Sequence, residues 1–407
     1  MEGREKRHVR RSALTEPAFK RYFPASWFSS LGSWMLRFLL GWSAWDLTES
    51  ATWVGIVAAL MLAPAFVLSP FFGIVSDRVN PRHGLIVSMA IHAVIGFIGA
   101  LALVVDVYDV TLLLGLSLAL GGVTSGHSPM RLALIPLLVR REALPSAVGL
   151  SAMTFNVARI IGPAIGAWLL RSAGPAEAFG LSVIMFATSG VILATLRGVG
   201  QRTPRPREPF AQQFKAGLNY VRHHRGIQLV FAFTALNGLV GRTVIELLPA
   251  LSGTFLGGGP SELATLTASA GGGSIVGGLI VSRQSADLKR LLLIVSLGIL
   301  FAALLMLSLQ WMQDVVRLSL VIAVLSLCTT MAGTGSQTLT QLSLSDEYRG
   351  RVLSLWTLLA MGAPAIGSAI YGALSDQLGF VVVLGMAAVL ALICVLGLYA
   401  LRRRILE

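Results

Sequence analysis

Long apolar runs separated by short polar breaks fill the chain from Tyr22 to Leu401. A bilayer core about 30 Å thick needs roughly 20 apolar residues per helix. Runs at 22–45, 52–74, 84–105, 110–138, 146–170, 178–196, 227–250, 261–282, 289–310, 315–341, 350–374 and 379–401 reach about that length. A chain crossing lipid must satisfy its own backbone hydrogen bonds, and helices do so within each segment. The pattern therefore predicts an all-α polytopic membrane protein with twelve transmembrane helices.

The series is broken once, after the sixth run, by "RGVGQRTPRPREPF". This stretch reads as linker, and Phe210, Phe214, Leu218 and Val221 then recur at helical spacing, which predicts an amphipathic helix on the inner membrane surface. The expected organisation is a basic N-terminus at 1–21, a six-helix bundle at 22–196, a linker with its helix at 197–226, a second bundle at 227–401 and a tail at 402–407. The two bundles echo one another. "GPAIGAWLLRSAG" from Gly162 matches "APAIGSAIYGALSDQLG" from Ala363, with Gly149 and Gly350 in the same frame, and "GIVSDR" at Gly73 has a weaker counterpart in "LIVSRQ" at Leu279. Two parallel six-helix repeats mark one large class of transporters.

Charge adds an orientation. Hydrophobic residues make up 55% of the 407 and charged residues 13%, yet the formal net charge is +13. Nearly all of the 32 Lys and Arg fall at the two ends of the chain, in the central loop or in the breaks after even-numbered runs. Arg171 and Arg317 fall on the other side, and Arg37, Arg131, Arg159 and Arg242 lie within runs. By the positive-inside rule both termini are cytoplasmic, and the basic loops face anionic lipid rather than nucleic acid. The first apolar run is too long for a signal-peptide core and reads as a retained span.

The sequence also bounds the chemistry. Cys328 and Cys394 lie in predicted spans without metal-ligand spacing, so no metal and no other cofactor is expected. No lysine follows a glycine, so no Walker A loop exists and ATP is not the energy source. "GGGSIVGG" at Gly271 sits inside a run and reads as helix packing. Ser, His and acidic residues form no catalytic constellation, and an enzyme is not expected.

Secondary transport on a proton gradient needs a titratable group inside the membrane. Glu246 is the one carboxylate well inside a predicted span, with Arg242 one turn earlier. The pair reads either as a proton or substrate site or as a structural ion pair. Arg37, midway along the first span, faces either a cavity or a partner; Glu246 and an anionic substrate group are rival partners. Asp46 stands at the outer end of the same span, where a solvated cap competes with a functional role. Asn156 and Asn237 either line a cavity or bond across helices. His92 and His127 could titrate near neutrality or simply pack. Trp42, Trp45 and Trp53 read best as interface anchors.

The loop "GIVSDRVNPRH" resembles the signature between spans two and three of the major facilitator superfamily, through Gly73, Asp77, Arg78, Arg82 and His83. Asn80 and Pro81 depart from the usual glycine there, with Asn able to supply a positive φ. "SSLGSWM", "PMRLALIPLLVRREALPSAVGL", "NVARIIGPAIGAWLL" and "FKAGLNYVRHHRGI" are similar to the branch holding enterobactin-type siderophore exporters and macrolide-efflux proteins. Gly149, Gly162, Pro163 and Gly166, with Ala158 and Ala167, resemble the span-five glycine pattern of drug antiporters in this superfamily. That pattern suits a bent helix at the seam between halves, or ordinary tight packing.

The resemblance implies alternating-access export of an amphipathic organic compound, siderophore or drug, across a bacterial cytoplasmic membrane. A proton antiporter is implied, in contact with lipid and acting as a monomer. It also implies that Asp77 latches onto the N-terminus of span eleven near Gly350. Uptake of a small organic solute and a non-transporting accessory role are the alternatives.

Overall fold

Four short polar side chains stop one helix from running into the next. Asn80, Asp109, Asp287 and Asp314 accept backbone N–H groups two or three residues on, at 2.8–3.3 Å, and so satisfy donors a helix start leaves open. Pro81, Pro175 and Pro260 stand at the first helical position, where a missing N–H costs nothing. Asn80 has φ −59°, so its task is capping; the left-handed geometry expected of it is not needed.

The computed structural model describes residues 12–196, 210–284, 287–312, 314–344 and 346–406. Within that range every regular element is helical. The helices are α1 (Pro17–Thr48), α2 (Ala51–Arg78), α3 (Pro81–Val104), α4 (Val110–Leu138), α5 (Leu144–Ser172), α6 (Pro175–Thr195), α7 (Phe210–His223), α8 (Arg225–Asn237), α9 (Thr243–Glu246), α10 (Leu248–Leu256), α11 (Pro260–Ser282), α12 (Leu288–Ser308), α13 (Val315–Leu342), α14 (Asp346–Leu378) and α15 (Phe380–Leu406). Among the described residues, ten of the twelve expected segments are long and apolar enough to cross a membrane, from Pro81–Val104 to Phe380–Leu401. Of the two first helices, α1 is 32 residues long but carries Ser26, Ser29, Ser30 and Ser43 on buried faces, and in α2 the side chains are described without a break only to Ala65, while its apolar run continues in the sequence to Ile74. Both still pack within the bundle. Residues 1–11 and 197–209 of the linker lie outside the described residues, as do the side chains of Asp77 and Arg78 in α2 and the surroundings of Gly73 and Gly350.

Polarity is inverted relative to a water-soluble bundle. On α15, Val382, Met386, Val389, Ile393 and Leu396 are exposed while Ala388 and Ala391 are buried, so the apolar stripe faces outward, where lipid would lie. With no hydrophobic gain between helices in lipid, close backbone approach holds them together. A Cβ at Gly273 would fall 1.9 Å from the carbonyl oxygen of Ala323, and one at Gly277 2.5 Å from that of Leu327, so α11 and α13 nearly touch backbones.

Short connections make neighbours antiparallel, so the starts of α1, α5, α8 and α14 share one side with the ends of α11 and α13. This is the terminal side, and the other is the distal side. The distal side is shut. α2 and α14 run antiparallel with Gly55 against Ser368 and Gly372 against Ala51. The Asp376 carboxylate accepts from the backbone N–H of Ala51 at 2.9 Å and of Thr52 at 3.1 Å, and from the Ser50 hydroxyl. A carboxylate from α14 thus caps the N-terminus of α2. Trp45 lies over Gly253 and Gly258 at the end of α10, a contact between helices of the two halves. Arg171 Nη1 donates to Ser261 Oγ at 2.9 Å.

Removal of that cap gives a first test. Losing an N-cap costs about 1 kcal/mol, a roughly fivefold change in a two-state population. With Cys328 and Cys394 replaced by Ala, Asp376→Ala is expected to raise labelling of a Thr52→Cys probe by impermeant maleimide about fivefold. An unchanged rate would show that the cap does not hold the distal side.

α7 forms over the expected residues, but its stripe does not face lipid alone. Gly217 lies against the Arg351 backbone of α14, Tyr220 stacks on Tyr348 at 4.6 Å, and Val221 packs by Ile227 and Val352. Phe214 stays exposed.

Candidate functional site

The seventh membrane segment is not a regular helix. After Asn237 it widens into a π-type turn over Gly238–Arg242, in which the Thr243 N–H and hydroxyl both reach the Gly238 carbonyl, the hydroxyl at 2.9 Å. Such single turns insert one residue into a helix and recur at functional sites. Two glycines make this one possible: a Cβ at Gly238 would lie 2.6 Å from Ala363 Cβ, and one at Gly241 1.8 Å from a Thr329 methyl. Beyond the turn, Arg242 and Glu246 line the interior.

Glu246 is the anchor of the site. Its side chain is 7% exposed, and Oε2 takes a short charge-assisted hydrogen bond from Arg37 Nη2 on α1. Oε1 lies 3.3 Å from Arg242 Nε, an ion pair at i, i+4 whose angle falls short of a hydrogen bond. Arg159 on α5 completes the group: Nη1 donates to Ser274 Oγ at 3.0 Å, and the guanidinium sits 5.5 Å from the Trp34 ring centre. Ser274 is bonded in turn to Ser326 Oγ at 2.7 Å and Thr330 Oγ1 at 3.1 Å. Among the described residues, no carboxylate lies within ion-pair distance of Arg159. Three cations and one anion therefore share a low-dielectric interior.

Below this cluster a cavity of about 690 Å³ extends to the terminal side, within the size range of sites for drug-sized ligands. Arg159 and Arg242 stand in its wall with Asn156, Asn237, Gln337 and Trp356, and its rim reaches Met153 and Ser282. Asn237 is 9% exposed; its Nδ2 donates to the Thr329 carbonyl at 3.2 Å, while Oδ1 has no partner. Asn156 Nδ2 donates to Ala152 O at 2.9 Å. A smaller pocket of about 80 Å³ joins Arg37, Glu246, Arg242 and Arg159 to Pro163.

Other sequence candidates lie elsewhere. Asp46 is exposed at the distal end of α1. His92 and His127 sit away from the cavity, both on Ser88 Oγ, with His92 Nδ1 also 2.8 Å from the Ser88 carbonyl. Gly162 and Gly166 do pack tightly, but against Leu31, Met35 and Phe38 of α1, within the same half of the chain. A Cβ added at Gly149 would meet nothing within 4 Å. The face of α5 that meets α11 is carried instead by Ile160 against Gly271. Arg82 donates to the carbonyls of Leu193 at 2.9 Å and Ala194 at 2.5 Å, closing the C-terminus of α6 where a cation suits the helix dipole. The side chains of Asp77 and Arg78 and the surroundings of Gly73 lie outside the described residues, and so does the contact expected of Asp77 with Gly350.

Sequence reasoning passed over Asp376, although a signal for it exists. "GALSD" at Gly372 repeats the Gly-x-x-Ser-Asp spacing of "GIVSD" at Gly73, and the two copies stand at opposite ends of the antiparallel pair α2 and α14. The π-type turn, Arg159 and the Ser274 network were also not singled out as parts of one site.

A helical bundle that crosses the membrane many times, with a charged floor above a cavity between helices from both ends of the chain, defines a transporter of the major facilitator type. Residues 10–407 match the family described as transmembrane secretion effectors, and the chain belongs to that family. It is 28% identical over 89% of its length to the enterobactin exporter EntS of Shigella boydii, covering 86% of that protein. It is 25% identical over 82% of its length to macrolide efflux protein A of Streptococcus pyogenes, covering 83% of that protein. The staphyloferrin A transporter of Staphylococcus aureus is 22% identical over 95% of this chain and 96% of its own. Among solved structures, the nucleoside transporter NupG superposes with TM-score 0.72 at 13% identity, over 94% of this chain and 99% of that one. A transporter of the POT family superposes with TM-score 0.74 at 14% identity, over 96% of each chain. These superpositions carry the fold alone. The fold class and the resemblance drawn from the sequence hold, and the family is one of transporters rather than enzymes.

Proposed function

We propose that the protein exports an amphipathic organic compound, of siderophore or drug type, across a bacterial cytoplasmic membrane by alternating access. In this reading two six-helix halves of twelve spans, 22–196 and 227–401, rock about the cavity, with both termini cytoplasmic. The protein acts as a monomer. The observation that supports it most is the cavity of about 690 Å³ beneath a buried charge cluster that joins α1, α5 and α9. Relatives named for efflux of macrolides and for siderophore handling favour outward movement. Proton entry supplies the energy, with Glu246 the group placed to exchange a proton as its bond to Arg37 breaks and forms.

Accumulation of a radiolabelled substrate in inverted vesicles tests this directly. Uptake that needs an imposed proton gradient supports export by antiport; uptake that appears only in right-side-out vesicles would reverse the direction. In the same assay Asp77→Asn is expected to lower the initial rate at least tenfold at normal membrane abundance, through loss of a carboxylate on the N-terminus of α14 in the outward-open state. A wild-type rate would reduce Asp77 to part of an orientation signal.

A further inference from the structure

The charge of the cavity selects its ligand. Two guanidinium groups, Arg159 and Arg242, stand in the wall of the larger cavity, and among the described residues no Asp or Glu does. The smaller pocket adds Arg37 and the single carboxylate, Glu246. That carboxylate is committed at both oxygens, to Arg37 and to Arg242, so the group keeps an excess of two positive charges. Buried charges are ordinarily paired, and ionisable groups inside a membrane mark ligand paths. Arg159 is oriented by Ser274 Oγ and by the Trp34 ring without being neutralised. Arg242 is 38% exposed, and its Nε makes no hydrogen bond. Beside them the Asn237 Oδ1 is a buried acceptor without a donor.

We infer that the transported compound is an organic anion that also carries a hydroxyl or N–H donor, with Arg159 and Arg242 holding its acidic groups and Asn237 Oδ1 its donor. This rests on the export reading. A planar guanidinium binds a carboxylate or phenolate oxygen pair in fork geometry, and Trp356 with Met361 supplies apolar wall for the remainder. A cation of similar size meets two like charges in the same wall, which is rejection rather than mere absence of attraction.

The full chain in nanodiscs at fixed ionic strength provides the test, with citrate and 2,3-dihydroxybenzoate as anionic probes that carry hydroxyl donors and tetraphenylphosphonium and erythromycin as cationic ones. The expected result is that the anions raise the melting temperature and bind calorimetrically while the cations do neither. Arg159→Gln weakens anion binding roughly tenfold, by the loss of one charge-assisted contact, and Arg159→Lys restores part of it. Cations binding at least as well as anions, no binding of either anion, or an Arg159→Gln protein with unchanged anion affinity would overturn the inference. Vesicle accumulation separates its failure from that of the export reading. Accumulation of tetraphenylphosphonium in place of the anions sinks the anion site and leaves the transporter. Anion binding with no accumulation of any probe keeps the site and sinks export.

Discussion

Glu246→Gln is expected to reduce transport by roughly 100-fold, equivalent to about 2.7 kcal/mol, and to lower the melting temperature of the purified protein by several degrees. The substitution keeps shape and one acceptor oxygen but turns the other towards an arginine as an N–H donor, and leaves Arg37, Arg242 and Arg159 without a counter-charge. Removing one partner of a buried ion pair costs about 3–5 kcal/mol. Arg37 and Arg242 are 26% and 38% exposed to the interior, so solvent in the cavity should hold the loss nearer ~2–3 kcal/mol. The sign of a second substitution is diagnostic. Arg37→Gln added to Glu246→Gln removes one uncompensated cation and should recover stability relative to Glu246→Gln alone, with a coupling of about 1–3 kcal/mol. Additive losses in a thermal-denaturation cycle would mean that the two side chains do not act as a pair.

The second large effect is expected at the distal closure. In Gly55→Val the new Cβ would lie 2.1 Å from the Ser368 carbonyl oxygen and 3.3 Å from Gly372 Cα. Both are backbone atoms, which cannot step aside as a side-chain tip can, so α2 and α14 must separate. The protein should insert normally yet stay open on the distal side, with transport down by roughly 100-fold or more and the Thr52→Cys probe labelled rapidly by impermeant maleimide. Gly372→Ala should act in the same direction, its Cβ falling 2.4 Å from the Ala51 carbonyl oxygen. Near-normal transport by Gly55→Val at full abundance would show that closure of this contact is no part of the cycle.

The elements were legible because hydrophobic run length reports membrane crossing directly. The site was legible only in part. Glu246 announced itself as the one acid deep in a span, and Arg37, a cation midway along the first span, had it as one of two rival partners. The π-type turn was hidden, since it depends on Thr329 and Ala363 pressing on Gly238 and Gly241 from other helices, and no local pattern reports such contacts. Gly149 differs from its partners in the pattern, having open space where a Cβ would stand. It shares the spacing of Gly162 and Gly166, but spacing along one helix does not say what stands opposite each turn. Asp376 was missed because it falls two residues beyond the predicted end of its span, where a polar residue reads as a boundary rather than as a partner for another helix.

The bond between Arg37 and Glu246 spans 209 residues, and that separation has a consequence in time. At about 5–20 residues per second of synthesis, α9 leaves the ribosome roughly 10–40 s after α1. Throughout that interval the nascent α1 holds a guanidinium in the bilayer with its eventual counter-ion not yet made, at an insertion cost of about 2.5–3.5 kcal/mol. The Ser29 hydroxyl on the same helix donates to the Ser26 carbonyl within α1 itself, whereas the charge must wait. Biogenesis therefore passes through a half-built protein whose first helix is seated provisionally, and the arrival of one glutamate makes the insertion final.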